Sequence, residues 1–512
     1  MTTRDEPAPA TKYRFRTKPY RHQYLAVKRF LDQGHLGLLF EPRTGKTKTT
    51  IDSLCALATR GSIDRAVIVA PNRVLGTWVR EFEVHAPINY RLTVWDKEGR
   101  AAGPPPAVSG KYDLEVVLVN YEAFAIPGKK TASGRRSKAS GRFKYRTYLR
   151  KWIGGKPCAG VLDESHKIKS PSGKASNLLV SMHSDFKYRL ILTGTPLTKA
   201  KRPFDIYMQW KFLNPARFAH VPTVAEFKDH YARFVDTGNG FKKYKGPKNQ
   251  AELVRLMRED AVVVRREDCF DLPPREDVVR FVTLSPETRR VYNEMAEELI
   301  ADLHTGTVAE AQIMLVRNMR LSQLTSGFVT DEEGNNVRIG HEKSDALAEI
   351  LQTAMENEEH MVVAARWVDD LDLIEALGRS IGFKTYSVRG SVSRRQSDAN
   401  IRSFRGAKEP SLMVLQPSAA ALGIDLSTAS TMVWYSHTNS WVDFSQTCDR
   451  IALSRNSTTF IHLVAESSVD ETTLETLRLD GDQAARIMAD PRKALTGKSL
   501  TVDSSSRIKM VK

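Results

Sequence analysis

Short apolar runs separated by amphipathic or polar segments recur in two stretches of the chain. In the first, Leu36–Phe40, Ala66–Ala70, Val116–Val119, Gly160–Leu162 and Leu190–Leu192 have the spacing of buried strands in an α/β fold. The second begins near Ser344 and repeats the pattern with Met361–Ala365, Thr385–Val388, Leu412–Leu415, Thr431–Trp434 and Phe460–Val464. Helix-like segments between the runs predict mostly parallel sheets. Residues 199–262 read as helix-rich, broken by Pro203, Pro215 and Pro222, with a basic turn at Lys242–Lys248. Pro286–Leu303 and Ala309–Leu324 predict further helices, and Asp331–Asn336 an exposed turn. The expected organisation is a flexible tail over 1–17, a first lobe over 18–262, a linker with a helical protrusion over 263–343, a second lobe over 344–480 and a basic tail over 481–512.

At 512 residues the chain has room for two to four domains, each with its own core. No apolar run approaches a membrane span, and the N-terminus lacks the apolar centre of a signal peptide. The expectation is a cytosolic protein with no membrane partner. Cys55, Cys158, Cys269 and Cys448 lie far apart with no C-x-x-C, which suggests neither a zinc site nor a disulfide framework. A net charge of +17 favours a polyanionic partner, nucleic acid ahead of an acidic membrane surface.

Candidate chemistry starts after the first run. Arg43-Thr44-Gly45-Lys46-Thr47 joins that strand to a helix, as a phosphate cradle does: backbone N–H groups and a helix N-terminus face an anion, Lys46 reaches the outer phosphates, and Thr47 can ligate Mg2+. A full G-x-x-x-x-G-K-T loop would carry glycine where Phe40 stands. Asp163-Glu164-Ser165-His166 follows another run, where an Asp can hold the metal and a Glu can orient and deprotonate an attacking water. Gln23 could read an adenine edge, because its amide both donates and accepts; a surface glutamine is the alternative. From Ala123 to Leu162 no acidic residue occurs, while Arg135, Arg136, Lys138, Arg142 and Lys144 crowd beside Phe143, Tyr145, Tyr148 and Trp152. Basic residues interleaved with aromatics suit a phosphate backbone and stacked bases.

In order, PYRHQ, RTGKT, APNRVLGTW, VNYEAF, DESH and LTGTPL resemble the first RecA-like lobe of a superfamily-two helicase or translocase, in particular its Snf-type branch. Arg265-Arg266-Glu267-Asp268 and Leu272-Pro273-Pro274 resemble that branch's transition between lobes, and VVAARW, the stretch 418–426, SQTCDR and LVAESSVDE continue the likeness through the second. The resemblance implies an α/β fold of two tandem RecA-like lobes of the P-loop NTPase class with helical insertions, and ATP with Mg2+ as cofactors. It implies that Gln23, Arg43, Thr44, Gly45, Lys46 and Thr47 bind nucleotide, that Thr47 and Asp163 hold the metal, and that Glu164 positions water. In the second lobe it implies a backbone-gripping loop at Arg389, close approach to phosphate at Gly423 and an orienting Asp425. Arg450 would be the arginine finger; Leu453 stands where a further arginine is expected, and Arg455 is the nearest substitute, so the choice between Arg450 and Arg455 stays open.

The activity implied is that of a monomeric ATP-dependent motor of bacterial or phage origin, tracking double-stranded DNA without strand separation. Alternatives are unwinding or branch migration of forked DNA or RNA, a nucleic-acid-binding scaffold whose ATPase has decayed, and the motor subunit of a restriction or defence complex.

Overall fold

The computed structural model describes residues 13–125, 141–196, 203–236, 242–269, 275–301, 309–331, 333–420, 424–451, 457–488 and 510–511. The chain divides into two compact units: among the described residues, the first comprises those up to 269 together with 483–488, the second those from 275 to 482 together with 510–511.

The first unit contains β1 (His35–Phe40), β2 (Arg65–Ala70), β3 (Tyr90–Val94), β4 (Leu114–Asn120), β5 (Cys158–Asp163) and β6 (Tyr188–Leu192), then a hairpin of β7 (Ala232–Asp236) and β8 (Lys242–Pro247), and β9 (Ala261–Val264). Apart from the hairpin these form one parallel sheet, ordered β3-β4-β2-β5-β6-β1-β9. Successive residues serve opposite faces: Val67, Val69, Val117 and Val119 join one apolar cluster, Ala66, Ile68, Val116 and Leu118 the other. Burial on both faces is why these strands read as continuous apolar runs. Helices α1 (Arg21–Gln33) and α2 (Lys46–Thr59) cover the second face through Phe30, Ile51 and Leu54.

The second unit repeats the design with β10 (Arg275–Val282), a hairpin of β11 (Phe328–Thr330) and β12 (Asn336–Arg338), then β13 (Met361–Ala364), β14 (Lys384–Val388), β15 (Ser411–Leu415), β16 (Thr431–Trp434) and β17 (Thr458–Ala465). Its parallel sheet runs β14-β15-β13-β16-β17-β10, with Met510–Val511 beside β10. The expectation of two RecA-like lobes with mostly parallel sheets holds. No helix among the described residues is long and apolar enough to cross a membrane.

Several boundaries move. Residues 13–17 are docked rather than tail-like: Tyr13 is buried and its hydroxyl donates to Asp52 at 2.9 Å, and Arg16 donates to the Ala86 carbonyl. The expected boundary at 262/263 falls inside β9 of the first sheet, and the supposed linker supplies β10 to the second; the charged start of REDVVRFV and its Arg280 hid a strand whose Val279 and Val282 are buried. The basic turn at Lys242–Lys248 is mostly strand β8, and the final helix Val469–Met488 extends past the expected start of the tail. Asp331–Asn336 is the tip of the β11–β12 hairpin, closed by Asp331 N–H to Asn335 O.

Candidate nucleotide-binding site

In the first sheet β5, β6 and β1 are neighbours, so the segments leaving their carboxyl ends, 164–166, 193–196 and 41–45, emerge along one edge. Ligands of open parallel sheets bind at this edge. Gly45 caps α2 with φ 90°, and Arg43 is also left-handed at φ 70°, so the loop turns sharply and leaves the first-turn N–H groups of α2 without intrahelical acceptors. A Cβ at Gly45 would strike the Gln23 amide. Lys46 Nζ donates to the Phe40 carbonyl at 2.8 Å. That carbonyl does not depend on residue type, and the Phe40 ring is buried against the His22 imidazole, so the missing glycine leaves the turn intact. Gln23 is buried, accepting from Tyr20 N–H at 3.0 Å and donating to the Thr44 carbonyl at 3.2 Å; His22 Nε2 donates to the same carbonyl at 2.8 Å. Gln23 is therefore placed as a brace of the loop and not as a side chain extended toward a base.

At the end of β5, Asp163 is buried, with Oδ2 accepting from Trp78 Nε1 at 2.9 Å and Oδ1 from Glu164 N–H at 3.0 Å. Its carbonyl accepts from Tyr121 Oη at 2.8 Å. Burial, then the Glu164 charge, push the Asp163 carboxyl up to about 7, against the Trp78 hydrogen bond and the Lys46 charge. Glu164 is left-handed at φ 52°, a conformation of the kind that persists where surrounding contacts hold it. Its carboxylate lies 3.3 Å from His166 Nδ1, which is 3.2 Å from Thr193 Oγ1, which accepts from Thr195 N–H at 3.0 Å. A polar chain thus joins the end of β5 to the end of β6. Gln209 makes a second link, accepting from Ser165 Oγ at 2.7 Å and donating to the Pro196 carbonyl at 2.8 Å. A Cβ at Gly194 would press on the Phe40 carbonyl and Pro42, so the third segment also abuts the phosphate loop. Two carboxylates beside a threonine-bearing helix start form an oxygen-donor set that fits a hard divalent cation, with Thr47 half-exposed in the first turn of α2.

The basic segment is partly corrected. Arg135, Arg136 and Lys138 lie outside the described residues, and Arg142 falls in the helix Gly141–Ile153. On that helix Tyr145, Tyr148, Leu149 and Trp152 fall at i, i+3, i+4 and i+7, the stripe of an amphipathic helix, and face the core. Tyr145 packs edge-on to Trp95 at 5.5 Å, and Trp152 Nε1 donates to the Pro106 carbonyl at 3.0 Å. Tyr145, Tyr148 and Trp152 are held by packing within the first unit. Lys144 is exposed, its ammonium 5.4 Å from the Tyr148 ring centre.

In the second unit Arg389 follows β14, where it is paired with Asp372 and lies 3.8 Å from Glu375. Asp425 accepts from Ser427 N–H at 3.1 Å and lies 3.5 Å from Arg405. Arg450 is buried; its guanidinium donates to the Ile424 carbonyl at 3.4 Å, and its carbonyl accepts from Leu426 N–H at 2.9 Å. It links two segments of its own unit. Gly423 and Arg455 lie outside the described residues.

Comparison with known proteins gives a match to the SNF2-related domain over residues 20–328, more than half of the chain. The chain belongs to the SNF2-related family. The helicase conserved C-terminal domain matches residues 342–453. Similar SNF2-type proteins include Arabidopsis thaliana "Protein CHROMATIN REMODELING 4", 25% identical over 84% of this chain and 19% of that protein. Saccharomyces cerevisiae "DNA repair and recombination protein RDH54" is 22% identical over 84% of this chain and 47% of that protein. The chain thus spans about a fifth to a half of the length of these curated relatives. Among solved structures, the Sulfolobus solfataricus SWI2/SNF2 ATPase core in complex with dsDNA aligns over 94% of this chain and 97% of its own, at 18% identity and a TM-score of 0.39.

Within this SNF2-related first unit, Trp78, Tyr121, His166, Thr193 and Gln209 were not singled out as site residues. The first four stand inside GTW, VNYEAF, DESH and LTGTPL, so their motifs were visible but their mutual contacts were not. Gln209 gave no signal: an amide within an apolar helix, YMQWKFL, reads as a packing position.

Proposed function

We propose that this chain is an ATP-driven motor that couples Mg-ATP hydrolysis to movement along duplex DNA without separating the strands. The observation that carries the reading is the convergence at one sheet edge of Lys46, the Asp163–Glu164 pair and the His166–Thr193 link. Membership of the SNF2-related family and the +17 net charge support DNA as the track.

The N–H groups of 45–47 and the Lys46 ammonium bind the outer phosphates, while Thr47 and Asp163 would hold Mg2+. When bound, that ion supplies neutralising charge to the phosphate oxygens. Glu164 orients water and accepts its proton. The link through His166 to Thr193 gives the acidic end a physical connection to the segment leaving β6, by which the state of the site can reach a DNA-contacting surface. Arg450 or Arg455 would supply the finger that stabilises transition-state charge. The motor is proposed to work as a monomer in the cytosol. The test is ATP turnover alone and with duplex, single-stranded and forked DNA and with RNA: duplex should stimulate most, and equal turnover with all of them would overturn the choice of track.

A further inference from the structure

The four scattered cysteines speak only against a thiolate site. In the insertion of the first unit, three other metal-ligating side chains converge. His220 follows the short turn Pro215–Phe218, His230 lies in the helix Val224–Tyr231, and Glu252 opens the helix Gln250–Glu259. Both imidazoles present Nε2 to one carboxylate: His220 Nε2 is 3.4 Å from Glu252 Oε1, and His230 Nε2 is 2.9 Å from Glu252 Oε2. One ligand atom from each residue lies within 4.8 Å of the others.

The scaffold beneath them is fixed. Thr223 and Glu226 form a capping box at the start of one helix, whose Phe227 and Tyr231 are buried against Phe218. Asn249 Nδ2 donates to the His230 carbonyl at 2.9 Å and ties the second helix to the first. The Tyr231 hydroxyl stands 3.1 Å from His220 Nε2 and 3.4 Å from Glu252 Oε1, where it can orient the carboxylate. The three side chains themselves are between a third and two fifths exposed, which leaves a route for an ion.

Two imidazoles and one carboxylate are a zinc ligand set, and tetrahedral ligands at zinc distances sit about 3.3 Å apart, close to the spacings from the carboxylate. Imidazole donors disfavour Mg2+ and Ca2+. We propose that His220, His230 and Glu252 form a binding site for one zinc-class divalent cation, separate from the nucleotide site, with the fourth position open to solvent. The cation ties the segment around His220 to both helices and so adds a clamp to the apolar packing and the Asn249–His230 hydrogen bond.

The test uses the full chain freed of any polyhistidine tag, stripped with chelator and titrated with Co2+, then back-titrated with Zn2+. The expected result is visible absorption of a four- or five-coordinate Co2+ ion, saturating at one per chain, bleached by Zn2+ and without the near-ultraviolet band of thiolate ligation. His230→Ala and Glu252→Gln should each weaken binding at least about ten-fold, with circular dichroism confirming that they fold. Zn2+ should raise the thermal midpoint of the wild type and not of the variants. Wild-type protein that binds no more Co2+ than the variants would overturn the proposal and leave a hydrogen-bonded His–Glu–His cluster.

Discussion

Trp78 Nε1 donates to Asp163 Oδ2 at 2.9 Å, so an indole on the helix Leu75–His85 fixes the carboxylate that closes β5. Trp78→Phe removes the donor and keeps most of the buried volume. A lost hydrogen bond to a charged group corresponds to about 1.5–3 kcal/mol, so kcat should fall at least about ten-fold with KM for ATP little changed. The acid limb of the pH profile should also move upward, because Trp78 opposes the rise in the Asp163 pKa. A purely structural role would lower the thermal midpoint and leave that limb in place.

Asp163 titrates near neutrality because burial and Glu164 both disfavour its charge. Its folded value of about 7 lies above the ordinary 3.8, so its contribution to stability is fully present below 3.8 and is lost as pH rises through about 7. A cation at this carboxylate competes with the proton. The Mg2+ concentration for half-maximal ATP hydrolysis should therefore rise as pH falls below about 7, by up to about ten-fold per unit. A flat Mg2+ requirement across that range would count against Asp163 as a ligand.

Gln23 holds the phosphate loop through the Thr44 carbonyl. Gln23→Ala should raise KM for ATP and for GTP by similar factors of about 3–10, the cost of about one neutral hydrogen bond. Competition kinetics separate the two roles: a selective loss of ATP over GTP would restore Gln23 as an adenine reader.

Asp260 is buried and held by Arg217 through two contacts of 2.7 Å, with Asn214 at 3.1 Å and His35 at 3.2 Å. Burial would push its carboxyl up, but Arg217, His35 and Asn214 together outweigh this and hold it well below the usual range. Arg217→Met leaves a buried charge without its main partner and should cost about 3–5 kcal/mol in the unfolding of the first unit, measured by urea denaturation. The sign with pH is opposite to that of Asp163: the contribution is present above 3.8 and lost as pH falls toward the folded value. Unchanged stability would show the network to be incidental.

Most strands legible in the sequence were buried on both faces; Thr385–Val388, half-exposed at the edge of its sheet, was read from its β-branched and aromatic residues instead. Those missed had physical reasons: Tyr90–Val94 is an edge strand of half-exposed residues, Ala261–Val264 is four residues long beside a helix, and Arg275–Val282 opens on three charged residues and carries Arg280. The segments around Lys46 and Asp163 could be found because each joins a strand to a turn with local chemistry. Contacts between distant segments could not: no periodicity tells that Trp78 meets Asp163 or that Gln209 spans Ser165 and Pro196. The aromatics of the basic helix were misread for the reverse reason. Their charge context drew attention from their helical spacing, which already marked Tyr145, Tyr148 and Trp152 as core.

In the proposed motor, Glu164 acts at a DNA-stimulated ATP site. The most direct measurement is steady-state ATP hydrolysis by wild-type protein and Glu164→Gln, each with and without duplex DNA, beside ATP binding by the same proteins. The predicted result is turnover stimulated by duplex in the wild type, and a loss of about 10²–10⁴-fold in the variant with ATP binding retained. Duplex-stimulated turnover that survives in Glu164→Gln, or negligible turnover by the wild type under every condition, would contradict it.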